Sequence, residues 1–238
     1  MKYLCIFFLF LLLSSENKTI AKKQLFTQSK FELLNQKFFC KNNNINNAFI
    51  FLKKNENVIM QELKDNQIEK LSICFPELLR YNLYRDEIEY QINYFTTQNN
   101  IYGLTDMSIG PFQMKPSFIK KMETYISIHN ELNYLKPYIL NNKASPTVRV
   151  FRLKSLHWQL KYLNLFWIIM EHKFQFIKFI NLESKIRLYS TAYNLGFDNS
   201  YQKIRDYQSS NNKFPINQNE EIKSFSDYSI LFYNQTIN

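Results

Sequence analysis

Glycine is the residue this chain most lacks: three in 238 residues, where an average composition would supply about 17. A chain this poor in glycine carries a side chain wherever one is tolerated. The glycines that remain therefore mark places where φ is positive or where another group comes close. Gly103 and Gly110 fall in segment 101–116 and Gly196 in segment 191–197, so these two segments are the first places to look for a site. The bland alternative is that all three are turn and helix-end residues.

Cysteine and histidine are nearly as scarce, at three each. Cys5 sits inside an N-terminal apolar run, which does not support a lipid attachment site. That leaves Cys40 and Cys74, which either pair in an oxidising compartment or stay as two separate buried thiols. Neither has a His neighbour at zinc-ligand spacing, so no metal site is expected. His129, His157 and His172 are isolated from one another in sequence and give no basis for a catalytic triad. There is no glycine-rich phosphate loop, no zinc-finger spacing and no basic–aromatic repeat, so neither a cofactor nor nucleic acid is expected. No long apolar run is present either, since 4–13 is too short to span a bilayer as a helix.

That run has a different meaning. Lys2 precedes it and Thr19-Ile-Ala21 follows with small residues three apart, the pattern of a secretory signal peptide over 1–21. The expected product is an exported single domain over 22–238, placed in the periplasm or cell envelope, with no stable membrane span after processing. Its formal charge drops from +10 to +9 on cleavage. A basic exported protein points to a polyanionic neighbour such as an envelope polymer or a membrane surface.

The apolar spacing predicts a mainly helical fold. Phe31, Leu34, Phe38 and Phe39 share a face, and 40–47 reads as a polar loop. From Ala48 to Tyr94 apolar residues recur at three and four positions. Pro76 reads as a break or a helix start, because it lacks an amide hydrogen and clashes with the preceding turn. Segment 99–116 reads as an irregular loop, and 118–138 as helical again. Ser145-Pro146 opens the longest apolar stripe, Val150 to Trp167. A helix over 182–195 is expected to end in the left-handed conformation at Gly196. The tail from Asn211 is polar with scattered aromatics, and reads equally as a packed arm or a loose end.

Three pieces stand in a telling order: Phe75-Pro-Glu-Leu-Leu79, then Ser108-Ile-Gly-Pro-Phe-Gln-Met-Lys-Pro116, then Thr191-Ala-Tyr-Asn-Leu-Gly-Phe197. Together they resemble the motifs of the lytic transglycosylases: a Glu on a helix, Gly-x-x-Gln-x-x-Pro, and Ala-Tyr-Asn-x-Gly. The resemblance covers about 68–207, with inserted segments around 84–100 and 120–175. It implies a lysozyme-like helical fold, peptidoglycan glycan strands as partner, and Glu77 as the catalytic acid. It further implies Ser108, Gln113, Tyr193 and Asn194 as substrate-binding residues, and Gly110 and Gly196 as structural glycines of the site. Leu78 follows Glu77 where the family usually has Ser. That keeps open a glycan-binding or envelope-assembly protein without catalysis, and a hydrolytic lysozyme is the other alternative.

The chemistry of the residues agrees with such a role. A carboxylic acid protonates a glycosidic oxygen at neutral pH only if its pKa is raised, and Glu77 sits among Phe75, Pro76, Leu78 and Leu79. Its bland reading is a solvated acid at a helix N-terminus, where the dipole lowers the pKa. Glu87 and Glu89 are the fallback acids. Asp106 either supports the Gly110 loop or is an ordinary turn residue.

Overall fold

The computed structural model describes residues 43–99, 106–140, 145–210, 212–216 and 223–237. The signal segment, the helix expected over 31–39, Cys40 and Gly103 lie outside the described residues. The chain divides into two compact units, Met1–Lys53 and Lys54–Asn238. Of the first unit α1 (Asn43–Lys54) is described, its last residue being the first of the second unit. It begins four residues inside the stretch expected as a polar loop, and its apolar residues Ile45, Phe49 and Leu52 recur at helical spacing.

The described residues of the second unit are mainly helical. Its elements are α2 (Glu56–Leu63), α3 (Gln67–Arg80), α4 (Leu83–Gln98), α5 (Pro116–Ile128), a 3-10 helix (Asn130–Tyr138), α6 (Pro146–Leu153), α7 (Leu156–Lys173), α8 (Leu182–Leu195), α9 (Tyr201–Ser209) and α10 (Phe225–Ile237). No strand occurs among the described residues, only the isolated antiparallel bridges Ile109–Met114 and Lys213–Ser224. Side-chain caps set several starts. The Asn82 carboxamide accepts from the amides of Tyr84 and Arg85 at α4, Asn181 and Ser184 form a capping box at α8, and Ser200 accepts from Lys203 at α9.

Helices α3, α8 and α10 pack on one another. Phe75 of α3 stacks on Phe232 of α10 at 4.3 Å, while Ile186, Ile230 and Tyr233 form a cluster edged by Ile68. The tail is thus a packed arm at its end. Helix α7 touches α2, α3, α5 and α6, and buries Leu160, Tyr162, Leu163, Phe166, Ile169 and Met170 completely. Each such side chain contributes about 1.5–3 kcal/mol by leaving water. The buried Lys70 ammonium donates to the Leu63 carbonyl (3.0 Å) and to Asn164 Oδ1 (2.7 Å), closing the end of α2 and tying it to α7.

Two expected boundaries are corrected. Pro76 lies inside α3 and neither starts nor breaks it, so Glu77 is in the last turn of that helix and not the first. Burial of Ile73, Phe75, Leu78 and Leu79 on either side sustains the helix through the lost hydrogen bond. The apolar stripe 150–167 is divided into α6 and α7 at Lys154–Ser155. The break exposes the Leu153 carbonyl, which Gln159 Nε2 takes at 2.5 Å. Buried Arg149 of α6 also donates through Nε to Glu123 Oε2 of α5 at 2.6 Å, and the amide of Leu140 donates to Glu123 Oε1.

Candidate functional site

A cavity of about 410 Å³ opens between the end of α3, turn 109–114, the start of α5 and the end of α8. Glu77, Ser108, Gln113, Tyr193, Asn194 and Gly196 all line it. Residues 36 and 80 apart along the chain, Glu77 to Gln113 and Gln113 to Tyr193, thus share one hollow. A larger groove of about 980 Å³ between α2, the 3-10 helix and α7 contains none of the candidate site residues, although His157 and Trp167 line it. The chemistry therefore concentrates in the smaller cavity.

Glu77 is half-buried. Burial pushes its carboxyl up to about 7, against the opposing pull of Arg80, Lys115 and Arg85. A helix C-terminus is also a poor place for negative charge, the reverse of the N-terminal seat expected from Pro76. At neutral pH the acid thus keeps a protonated fraction that an ordinary carboxyl lacks. Two other carboxylates line the cavity, and both are committed elsewhere. Asp106 accepts from the amide and hydroxyl of Ser117, capping α5 from outside, and Asp198 pairs with Lys121 at 2.8 Å. Asp106 therefore serves the helix start and not the Gly110 loop.

Turn 109–114 is held from every side. The Ile109 and Met114 amides and carbonyls pair with each other, and the Gln113 amide donates to the Gly110 carbonyl at 2.9 Å. Gly110 has φ +73°, and its amide donates to Asp86 of α4. A Cβ at Gly110 would sit 1.5 Å from Gln159 Nε2, so a side chain there would have to displace the Gln159 carboxamide at a positive φ. Gly110 does not line the cavity; it seats the turn from behind. Buried Gln159 of α7 accepts from the Phe112 amide at 3.0 Å and donates to the Ile109 carbonyl at 3.1 Å.

Gln113 itself has φ +48°, and one N–H of its side chain returns to the Gly110 carbonyl at 2.9 Å. Its other N–H and its oxygen remain for a ligand. The Tyr193 hydroxyl donates to the Phe112 carbonyl at 2.7 Å, so it braces the turn. Asn194 Nδ2 reaches the Tyr207 hydroxyl at 3.5 Å, at the limit of a hydrogen bond. Gly196 ends α8 with φ +109° and ψ +121°, which is positive but not the left-handed helical conformation expected.

The fallback acids are not in the cavity. Glu87 pairs with Lys154 at 3.1 Å and Glu89 with Arg85 at 2.7 Å. The histidines are not all isolated: the rings of His129 and His172 are 5.0 Å apart, and the Tyr125 hydroxyl is 3.0 Å from His172 Nδ1. One helical turn brings His129 onto the ring of Tyr125 at 4.0 Å, a contact that spacing along the whole chain does not show. Sequence reading missed three residues that hold the site: Asp86, Gln159 and Asn93, whose buried carboxamide exchanges bonds with the amide and carbonyl of Met107. Only Gln159 left a signal, as one of two carboxamides, with Asn164, within the apolar stripe of α7. Among the described residues no group of His, Cys, Asp or Glu could hold a metal ion, and no helix is long and apolar enough to cross a membrane. No family model matches the chain, and no curated protein or solved structure matches it.

Proposed function

We propose that this chain is an exported enzyme with a lysozyme-like fold, a lytic transglycosylase that cleaves peptidoglycan glycan strands. The observation that carries this reading is Glu77, a carboxyl raised to about 7 in the same cavity as Gln113, Tyr193 and Asn194. In its protonated form Glu77 donates to the oxygen of the β-1,4 bond between N-acetylmuramic acid and N-acetylglucosamine, and the bond breaks. The resulting carboxylate then takes the proton of the muramyl 6-hydroxyl, whose oxygen closes a 1,6-anhydro ring on C1. The proton lent in the first half returns in the second, so one carboxyl serves both. The nucleophile belongs to the substrate, and its tethering supplies the positioning that water would need a second acid for. The engagement of Asp106 with Ser117 and of Asp198 with Lys121 favours this one-acid scheme over a hydrolytic lysozyme. Arg80, Arg85 and Lys115 give the rim a positive field suited to a glycan bearing carboxylates.

The test is mass analysis of the fragments released from purified sacculi. The expected products carry anhydro ends; reducing ends would select the lysozyme, and no release the glycan-binding protein. Glu77→Gln keeps the shape but cannot pass a proton. It is expected to lower release by about 10²–10⁴-fold or more, because both half-reactions use the same group. Release at the wild-type rate would move the acid elsewhere.

A further inference from the structure

Outside the cavity lining, the segment joining α7 to α8 carries the two most exposed large apolar side chains among the described residues. Ile180 is 96% and Phe176 86% exposed. Such exposure normally marks a loose tip, yet this segment is anchored. Phe174 is buried, with its ring 5.9 Å from that of Tyr201, and the Ile177 amide closes a turn onto the Phe174 carbonyl at 2.9 Å. Phe179 turns inward to meet Tyr189 edge-on at 5.8 Å, over the ammonium of Lys185. Residues 174, 177 and 179 thus grip the body while 176, 178 and 180 face water. Phe176 and Ile180 contribute little burial to the fold and stand available to a surface outside the molecule.

We propose that this loop is an interfacial anchor that dips Phe176 and Ile180 into the surface of an anionic phospholipid bilayer. Three features favour a bilayer over a protein partner. The two apolar side chains stand clear of the body, a shape that suits fluid acyl chains. Lys178 stands between them, where an ammonium reaches lipid phosphates as the apolar neighbours enter. From Phe174 to Leu182 the segment holds the exposed Lys178 and no acid, in a chain of formal charge +10, so the local and the overall fields both attract an anionic surface. None of these residues lines the cavity, so the anchor stands independently of the chemistry proposed there.

The test compares the full protein with its Phe176→Ser/Ile180→Ser variant by co-sedimentation with vesicles of phosphatidylglycerol and phosphatidylcholine, and with phosphatidylcholine alone. Both proteins keep the same N-terminus and the same charge, so their difference reports the loop. The wild type is expected to bind the anionic vesicles, less so as salt rises. The double variant should bind about tenfold or more weakly, with unchanged helical circular dichroism, since both side chains are already in water. Should the variant lose structure, Phe176→Trp decides: its indole emission should shift to the blue on adding anionic vesicles. Equal binding by the double variant, no binding by the wild type, or no blue shift overturns the proposal. So does self-association of the wild type that the double variant abolishes without any lipid effect, which would make the loop a protein contact.

Discussion

Burial of a single carboxyl, Glu77, gives the cavity its own pH dependence. Glu77 has a folded pKa of about 7 against an ordinary value of 4.5, so between those limits the folded state holds more protons than the unfolded one. Stability tied to Glu77 is therefore full below pH 4.5 and falls as pH rises toward 7. Glu77→Gln removes that dependence. Its melting temperature should exceed the wild type's increasingly from pH 4.5 to 7, and the gap should then level off. A gap that stays constant across this range would show that burial does not perturb the carboxyl. Gly110 makes the second residue-scale point: its scarcity in the sequence already flagged it, but the reason is the side chain of Gln159 pressed against its α-carbon. No reading of neighbours in sequence supplies a contact made 49 residues away.

At the scale of elements, helical periodicity was legible from Ala48 to Tyr94 and again in α7 and α8, whereas the boundaries misled where tertiary burial outweighed local preference. Proline inside a helix costs about 3 kcal/mol, an amount that two or three buried aliphatic side chains offset. That is why α3 runs through Pro76 and delivers Glu77 at its end. The buried Glu123–Arg149 pair joining α5 to α6 was invisible in sequence, since each reads as an exposed charge on a helix face. Arg149→Leu alone strands a buried carboxylate and is expected to destabilise by about 3–5 kcal/mol in urea denaturation. Adding Glu123→Met should recover part of that loss, limited by the Leu140 amide, which then loses its acceptor. A single variant as stable as the wild type would mean that the pair carries no weight in joining the helices.

For the whole molecule, what the sequence displayed was the helical class and the three segments that meet at the cavity. It did not display their scaffolding. The inserted stretches around 84–100 and 120–175 read as additions beside a motif core, yet Asp86 and Gln159 come from them and grip the turn that carries Gln113, and Asn93 holds Met107 just before it. Spacing rules report which residues share a face of one element; they are silent on which element that face meets.

The bonding of that turn has a consequence in time. From Ile109 to Met114 every backbone amide has an acceptor and Pro111 has none to exchange, so this largely buried turn has no free N–H through which solvent deuterium can enter. Its opening must wait for α4 or α7 to let go. In hydrogen–deuterium exchange it should therefore become labelled on the slow clock of α7 and not on the fast one of a loop. Gln159→Ala should bring the turn forward to the fast clock while leaving α8 and α10 on the slow one. Immediate labelling in the wild type would mean that the turn opens by itself.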